Sequence, residues 1–405
     1  MNLLYLCTDT TKSVGVIQKI VGKVCKIKEA GINVQGLFVN TNHQVTKNLI
    51  IDENQEIHFH SIEPYKPSKI FWRRFVRYFL GFVTVMGNDL KKYRDLNREV
   101  KKKEKDLILF RYPGGSLGLL LFCISNRKKI IFEHNTFELE ELKTEDMRPA
   151  GMKTIYYSEF LFGPLALSFA KGIIGVTNEI VEYELKRAWK KPKSFLFSNG
   201  AEVLKYPKKK CHINSNENSI KLLMLCGSPV NWHGIDRVIE GMELSENKEK
   251  FHLYVAGNVL EERKQLVKKL DLDAHVTFFD SLSGTDLDNL FDNSDIAIGT
   301  LGLHRKGLKE ACPLKVREYL SRGIPVILAY NDTDITENLN FILQLPVGEK
   351  PVDMVLVEEF YQKLKPLEKQ VDIIRNYAIE NIDLEIKINQ LVGFLEKLNG
   401  SIINN

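Results

Sequence analysis

The most constraining feature of the sequence is an alternation. From Ile220 onward, short runs rich in branched apolar residues (IKLLMLCG, FHLYVAG, HVTFF, DIAIGT, IPVILAY) take turns with amphipathic stretches (GIDRVIEGM, EERKQLVKKL, TDLDNLF, PLKVREYLS). Strand and helix alternating this regularly build a parallel sheet with helices on both faces. The first half repeats the theme with NLLYLCT, INVQGLFV, DLILFRYP, KIIFEHN, GIIGVTN and SFLFSNG as strands. A chain of 405 residues exceeds the ~250–300 at which one core stops growing, so two such domains are expected. The polar, Asn-rich stretch 201–219 is the best connection between them. It places the first domain at 1–205 and the second at 218–375, with 376–405 a helical segment expected to pack back on the first domain.

Several classes of function are excluded early. The cysteines at 7, 25, 123, 211, 226 and 312 are scattered, without a C-x-x-C pair or a neighbouring His cluster, which argues against structural zinc and for a reduced, cytoplasmic setting. The N-terminus MNLLYLCTDTTKSVGV has no basic leader and reads as a first strand. FLGFVTVMG and LGLLLFCI are the longest apolar runs of note, well short of the ~20 residues that cross a bilayer.

The chemistry gathers where loops follow strands. In open parallel sheets ligands bind beyond the carboxyl ends of the strands, where strand order reverses. In LKEACPLKVREYL (308–320), Pro313 suits a first helical position, since its missing N–H would be unpaired there anyway. Glu310 then sits in the preceding loop and Glu318 inside the helix. The leading N–H groups around Leu314 and Lys315, with the positive end of the helix dipole and the Lys315 charge, make an anion site. The preceding loop GTLGLHRKGLKEA carries three glycines and the cations His304, Arg305, Lys306 and Lys309, which suits a diphosphate. The plainer reading is that Glu310 merely complements the dipole while Arg317 and Glu318 are solvated. A second strand–loop–helix, LLMLCGSPVNWHGIDRVIEG, opens at Gly227 and aims a helix start near Gly234 at the same kind of ligand. It lacks the Lys and Ser/Thr of a P-loop and is not G-x-G-x-x-G, so Walker NTPases and dinucleotide oxidoreductases find little support. Core packing is the expected role of Trp232.

Together these residues resemble the retaining glycosyltransferases of family 4, most closely over 220–330, in the wording WHGIDR and EACPLKVREYLSRGIPVI, as in bacterial members that build surface polysaccharides. The resemblance implies the GT-B fold, an α/β architecture of two doubly wound Rossmann-like domains facing a central cleft. It implies a metal-independent transferase that moves a sugar from a UDP- or GDP-sugar to a glycan or lipid-linked saccharide. Glu310 would meet the donor sugar, Glu318 the ribose, and the Leu314 and Lys315 N–H groups the diphosphate. The family spacing of Gly-Arg, four residues, Lys-Gly appears as Gly227-Ser228 and His233-Gly234, so both expected cations are altered. Lys315, Arg237 or Arg305 would compensate, with His233 also on the donor side. In the first domain Gly15, with Lys12 nearby, would lie near the acceptor, and His134 at the end of a middle strand would face the donor sugar. No cofactor is expected, the nucleotide sugar being a substrate, and no metal: the triplets at 271–273 and 286–288 fall in helical surface patterns, and only that at 332–334 follows a strand.

Charge adds one further expectation. Between Tyr65 and Lys105 stand 13 Lys and Arg against four acids in a chain of net charge +5, interleaved with aromatics, a pattern suited to an anionic membrane face. No recognised nucleic-acid motif accompanies it. Two other readings remain open: a GT-B nucleotide-sugar epimerase, and a non-catalytic subunit that binds a nucleotide sugar or glycan.

Overall fold

All six apolar runs of the first half become strands: β1 (Asn2–Cys7), β2 (Asn33–Val39), β4 (Leu107–Arg111), β5 (Ile130–His134), β6 (Gly172–Gly175) and β7 (Lys193–Leu196). A seventh, β3 (Ile57–His60), forms where Ile57 and Phe59 alternate with two histidines, a pattern too short to stand out beside the apolar runs. The structure, a computed structural model, describes residues 1–8, 14–39, 57–60, 74–143, 150–210, 219–335 and 338–400. Two compact units result, one of Met1–Phe197 with Ile388–Asn405 and one of Ser198–Lys387. The division precedes the 201–219 stretch because that stretch starts inside the second unit. There the Asn199 amide donates to the Cys312 carbonyl at 2.7 Å, and Ala201 bridges to Asp383.

The first unit is one parallel sheet in the order β3-β2-β1-β4-β5-β6-β7. The inner strands β1, β4, β5 and β6 are buried on both faces, completely so over β5 and β6, which is why they appear as unbroken apolar runs. The described helices between them are α1 (Val14–Glu29), α2 (Arg74–Lys101), α3 (Leu117–Ser125), α4 (Glu138–Lys143), α5 (Ala150–Phe169) and α6 (Asn178–Arg187). Alternate strand residues Leu4, Leu6, Ile108, Phe110, Ile130 and Phe132 face α2, α3 and α5, which contribute Tyr93, Leu96, Leu119, Phe122 and Leu167 to a single core. Asp89 of α2 fastens the start of α3, accepting from the Ser116 hydroxyl at 2.9 Å and the Gly118 N–H at 2.8 Å. A side chain at Gly118 would run into Asp89 and Tyr93 at 2.6 Å, so the close helix contact depends on glycine.

The second unit repeats the design. Its sheet runs β10 (Val276–Phe279), β9 (Phe251–Gly257), β8 (Ile220–Cys226), β11 (Ile296–Ile298), β13 (Val326–Leu328), β15 (Ile342–Gln344), all parallel. A two-residue ladder joins β12 (Glu310–Ala311) to β14 (Asn331–Asp332). The helices are α7 (Ile235–Leu244), α8 (Glu261–Lys269), α9 (Gly284–Asp292), α10 (Leu314–Arg322), α11 (Met354–Leu364) and α12 (Leu367–Asn381). A last helix, α13 (Leu384–Gly400), crosses the division, and its Phe394 stacks on Phe195 at 4.8 Å in the first unit. Among the described residues no helix is long and apolar enough to cross a membrane.

Candidate active site

Strand order in the second unit reverses between β8 and β11, so their carboxyl ends frame the crevice where such sheets bind ligands. Two loops leave it. One runs from Cys226 through Gly227 to a short turn at Asn231–His233 and into α7; the other runs from Gly299 through Leu303–Lys306 to β12. They interlock: the Leu301 N–H donates to the His233 carbonyl at 3.0 Å and the Gly302 N–H to the Trp232 carbonyl at 3.1 Å. Gly234 makes this possible. Its φ of 74° lies in the left-handed region, and a Cβ there would stand 2.8 Å from the Gly302 nitrogen.

Helix α10 closes the crevice. It starts one residue later than proline's preference for the first helical position suggests, with Pro313 as its cap and its carbonyl accepting from the Val316 and Arg317 N–H groups. The Leu314 and Lys315 N–H groups therefore lead the helix. The helix is pinned to β8 by the Leu225 N–H, which donates to the Tyr319 hydroxyl at 2.8 Å. From its first turn the Lys315 ammonium donates to the Leu225 carbonyl at 3.2 Å and the Gly299 carbonyl at 3.3 Å. It thus hangs between the ends of the two strands that define the crevice, and burial lowers its pKa to about 8.

The two glutamates separate as their positions imply. Glu310 is half-buried on β12, opposite Asn331. Glu318 lies a full turn into α10, where it accepts from Arg322 at 2.9 Å. Burial raises its pKa and Arg322 opposes the rise. Arg322 also grips Asp288 at 2.7 Å and lies 4.2 Å over the Phe291 ring. The i to i+4 spacing from Glu318 to Arg322 was the available sequence signal for this partner. Arg317, read as solvated in the plainer alternative, is completely buried instead. Its guanidinium bonds Asp332 at 2.6 Å, Asp334 at 2.5 Å and the Asn199 carbonyl at 2.9 Å. Asp334 also accepts from Lys387 at 2.6 Å and Ser198 at 2.7 Å. The 332–334 triplet is thereby committed to cations of the protein.

Three other residues expected on the donor side have protein partners of their own. Arg237 is buried and donates to the carbonyls of Lys350 (2.8 Å), Leu301 (2.5 Å) and Pro346 (3.3 Å). Arg305 donates to the Asn231 carbonyl at 2.6 Å, to Asp236 at 2.7 and 3.1 Å, and to Glu349. His233 donates from Nε2 to the Ser228 carbonyl at 3.1 Å, which leaves Nδ1 a bare, buried acceptor. Burial and then the Lys315 charge push its pKa down to about 4, so it is neutral near pH 7 and brings no charge to a phosphate. Trp232 is half-buried rather than core, with the Lys306 ammonium 4.7 Å from its ring. Gly227 is exposed, with open space where a side chain would go.

In the first unit, His134 ends β5 and is fully buried. Its Nδ1 lies 3.2 Å from both Glu138 oxygens and 4.0 Å from Glu184, the Tyr112 ring stacks on it at 4.4 Å, and Nε2 has no hydrogen-bond partner. Burial lowers its pKa, against the pull of Glu184. Glu184, pushed up to about 7 by burial, is bound through both oxygens by Arg187 at 3.0 and 3.1 Å. His134, Glu138 and Glu184 bring ligand atoms within 4.8 Å of one another, but a cation there would have to displace Arg187. Gly15 is the second residue of α1 rather than part of a loop, and Lys12 lies outside the described residues.

The comparisons with known proteins bear on the second unit first. Residues 208–337 match the family of glycosyl transferases group 1. The match takes in β8 to β14, and with them the crevice, Lys315 and both glutamates. No curated protein sequence matches the chain. Among solved structures, a glycosyltransferase from Rickettsia africae superimposes with a TM-score of 0.68 at 15% identity, covering 98% of each chain. Sucrose-phosphate synthase from Thermosynechococcus elongatus gives 0.64 at 14%, covering 99% of this chain and 100% of its own. Anabaena HepE in complex with UDP gives 0.63 at 14%, with 98% and 100% covered. At such identities the likeness is one of fold, and that fold is GT-B.

Proposed function

We propose that the chain transfers a sugar, with retention and without a metal ion, from a UDP- or GDP-sugar to a glycan or lipid-linked saccharide in bacterial surface-polysaccharide synthesis. The observation that carries this reading is the ammonium of the half-buried Lys315, held between the carboxyl ends of β8 and β11 beside the leading N–H groups of α10. An ammonium partly withdrawn from water, with two long bonds to carbonyls, is costly to keep charged, and an arriving diphosphate relieves that cost. Transfer breaks the bond between the sugar's anomeric carbon and the diphosphate oxygen and forms one to the acceptor oxygen. The acceptor's proton passes to the departing diphosphate. Negative charge grows on that diphosphate in the transition state, where preorganised N–H groups and a cation stabilise it most. Glu310, ahead of the helix, is assigned to the sugar, and Glu318, one turn in, to the ribose. His134 Nε2 is the first unit's candidate for a sugar hydroxyl. The site of action is the cytoplasmic side, and the basic 65–105 segment is assigned to a membrane face.

A screen of UDP- and GDP-sugars for donor hydrolysis and transfer, run on the wild type and on Glu310→Ala and Glu318→Ala, tests the reading. Turnover that falls in both variants supports it. Undiminished transfer in both overturns it, as does free epimerised sugar formed without acceptor, or calorimetric nucleotide-sugar binding without any turnover.

A further inference from the structure

Away from the crevice, the first unit presents a surface that sugar transfer does not explain. Helix α3 buries Gly118, Leu119, Phe122 and Cys123, and the opposite stripe, at i, i+3, i+4 and i+7, is Leu117, Leu120, Leu121 and Ile124. Helix α5 beside it repeats the pattern outward with Tyr157, Phe160, Leu161 and Pro164. Ser168, one turn beyond Pro164, accepts from the Trp189 N–H at 2.8 Å, which places the exposed Trp189 beside the end of α5. Exposure is 50% for Leu121, 43% for Ile124, 61% for Tyr157, 54% for Phe160, 58% for Leu161 and 79% for Trp189. Scaled by side-chain size, these six expose on the order of 600 Å², at the upper limit of the largest apolar patch on an ordinary monomer.

The rim of this surface is cationic. Where α2 and α3 end, a cavity of about 520 Å³ opens at the amino-terminal edge of β1 and β4, lined by Lys101, Lys103, Lys105, Arg127 and Lys129 against only Glu104 and Asp106. Burial, then the Lys129 and Lys103 charges, lower the Lys105 pKa to about 8. Lys190 and Lys191, both exposed, follow Trp189. The cavity is at the other end of the strands from His134, about 16 Å away for a five-residue strand.

We propose that the outward stripes of α3 and α5 seat in the interface of an anionic lipid bilayer, with a lipid phosphate in the Lys101–Arg127 cavity. Charge selects this occupant. Apolar side chains beside a row of cations match acyl chains beside anionic headgroups. A two-fold dimer through the same face would set the cations against their own copies. The surface shares Lys101, Lys103 and Lys105 with the basic segment legible in the sequence, but its apolar part lies on helices that segment does not include.

The test is flotation with vesicles of phosphatidylcholine alone or mixed equally with phosphatidylglycerol. It is read without turnover, so it stands or falls apart from the transferase reading. The wild type is expected on the anionic vesicles only. Lys101→Gln with Arg127→Gln weakens that binding about 25-fold, roughly five-fold per charge. Phe160→Ser with Leu161→Ser weakens it at least about ten-fold, and an unchanged melting temperature in each variant shows that folding is intact. Equal binding by both variants, or indifference of the wild type to phosphatidylglycerol, overturns the proposal. So does lipid-free self-association that Phe160→Ser with Leu161→Ser abolishes, or binding of an acidic peptide in place of vesicles.

Discussion

Lys315 allows structure and function to be separated by sign. At pH 7 it is charged in a site that lowers its pKa from the ordinary 10.5 to about 8, a penalty of roughly 3 kcal/mol at 1.36 kcal/mol per pH unit. Its bonds to Leu225 and Gly299, at 3.2 and 3.3 Å, return about 1 kcal/mol each. Replacing it by methionine, of similar length and uncharged, therefore stabilises the ligand-free protein by roughly 1 kcal/mol. The same change removes a charge-assisted bond to the diphosphate worth about 1.5–3 kcal/mol, so UDP affinity falls about 10- to 150-fold. The pH dependence follows from the same value. Because the folded pKa is depressed, the penalty is present below about pH 8 and fades as the pH rises toward 10.5, where the unfolded lysine also loses its proton. Wild-type UDP affinity declines above about pH 8 as the ammonium is lost, while that of Lys315→Met stays flat. Titration calorimetry from pH 6.5 to 9.5, with chemical denaturation of both proteins, reads all three quantities. A Lys315→Met protein that is less stable and binds UDP as well as wild type refutes the reasoning, since it would make Lys315 a structural brace.

The remaining expectations concern the residues around it. Glu318→Gln weakens donor binding about ten-fold or more with a smaller effect on turnover, whereas Glu310→Gln lowers turnover about 100-fold with little change in binding; full progress curves at varied donor distinguish the two. Arg317→Met leaves the Asp332 and Asp334 carboxylates facing each other without their main cation and costs about 3–5 kcal/mol, read as a lower denaturation midpoint at unchanged slope. Arg305→Gln, whose partners Asp236 and Glu349 belong to the protein, leaves UDP affinity within about three-fold and lowers stability by no more than about 1 kcal/mol, because the cluster is partly exposed to solvent. A ten-fold loss of affinity in that variant would return Arg305 to the phosphate.

What the sequence shows and hides follows from which forces act locally. Strands buried on both faces must be apolar along their whole length, so the inner strands stand out as runs in the sequence, while among the described residues Ile57–His60, at a sheet edge, and the two-residue pair β12 and β14 do not. Pro313 announced a helix start because proline's constraint is local, to within one residue of its cap position. Cations behave otherwise. Arg237, Arg305 and Lys315 look alike in a sequence, and what separates them is the set of acceptors that folding brings from residues 231, 236, 301, 346 and 349–350 in the first two cases and from two strand ends in the third. A guanidinium offers several N–H donors in a planar fork and so recruits backbone carbonyls and carboxylates readily; an ammonium on a flexible stem reaches a narrow strand end as a point charge. Of the three cations expected to compensate at the phosphate, the two guanidiniums are held by protein acceptors that tie loops together. The lysine at the helix start, placed by Pro313 and by the reversal of strand order between β8 and β11, is left beside the crevice. Its assignment to the diphosphate rests on position within the sheet, which no motif around residue 315 encodes by itself.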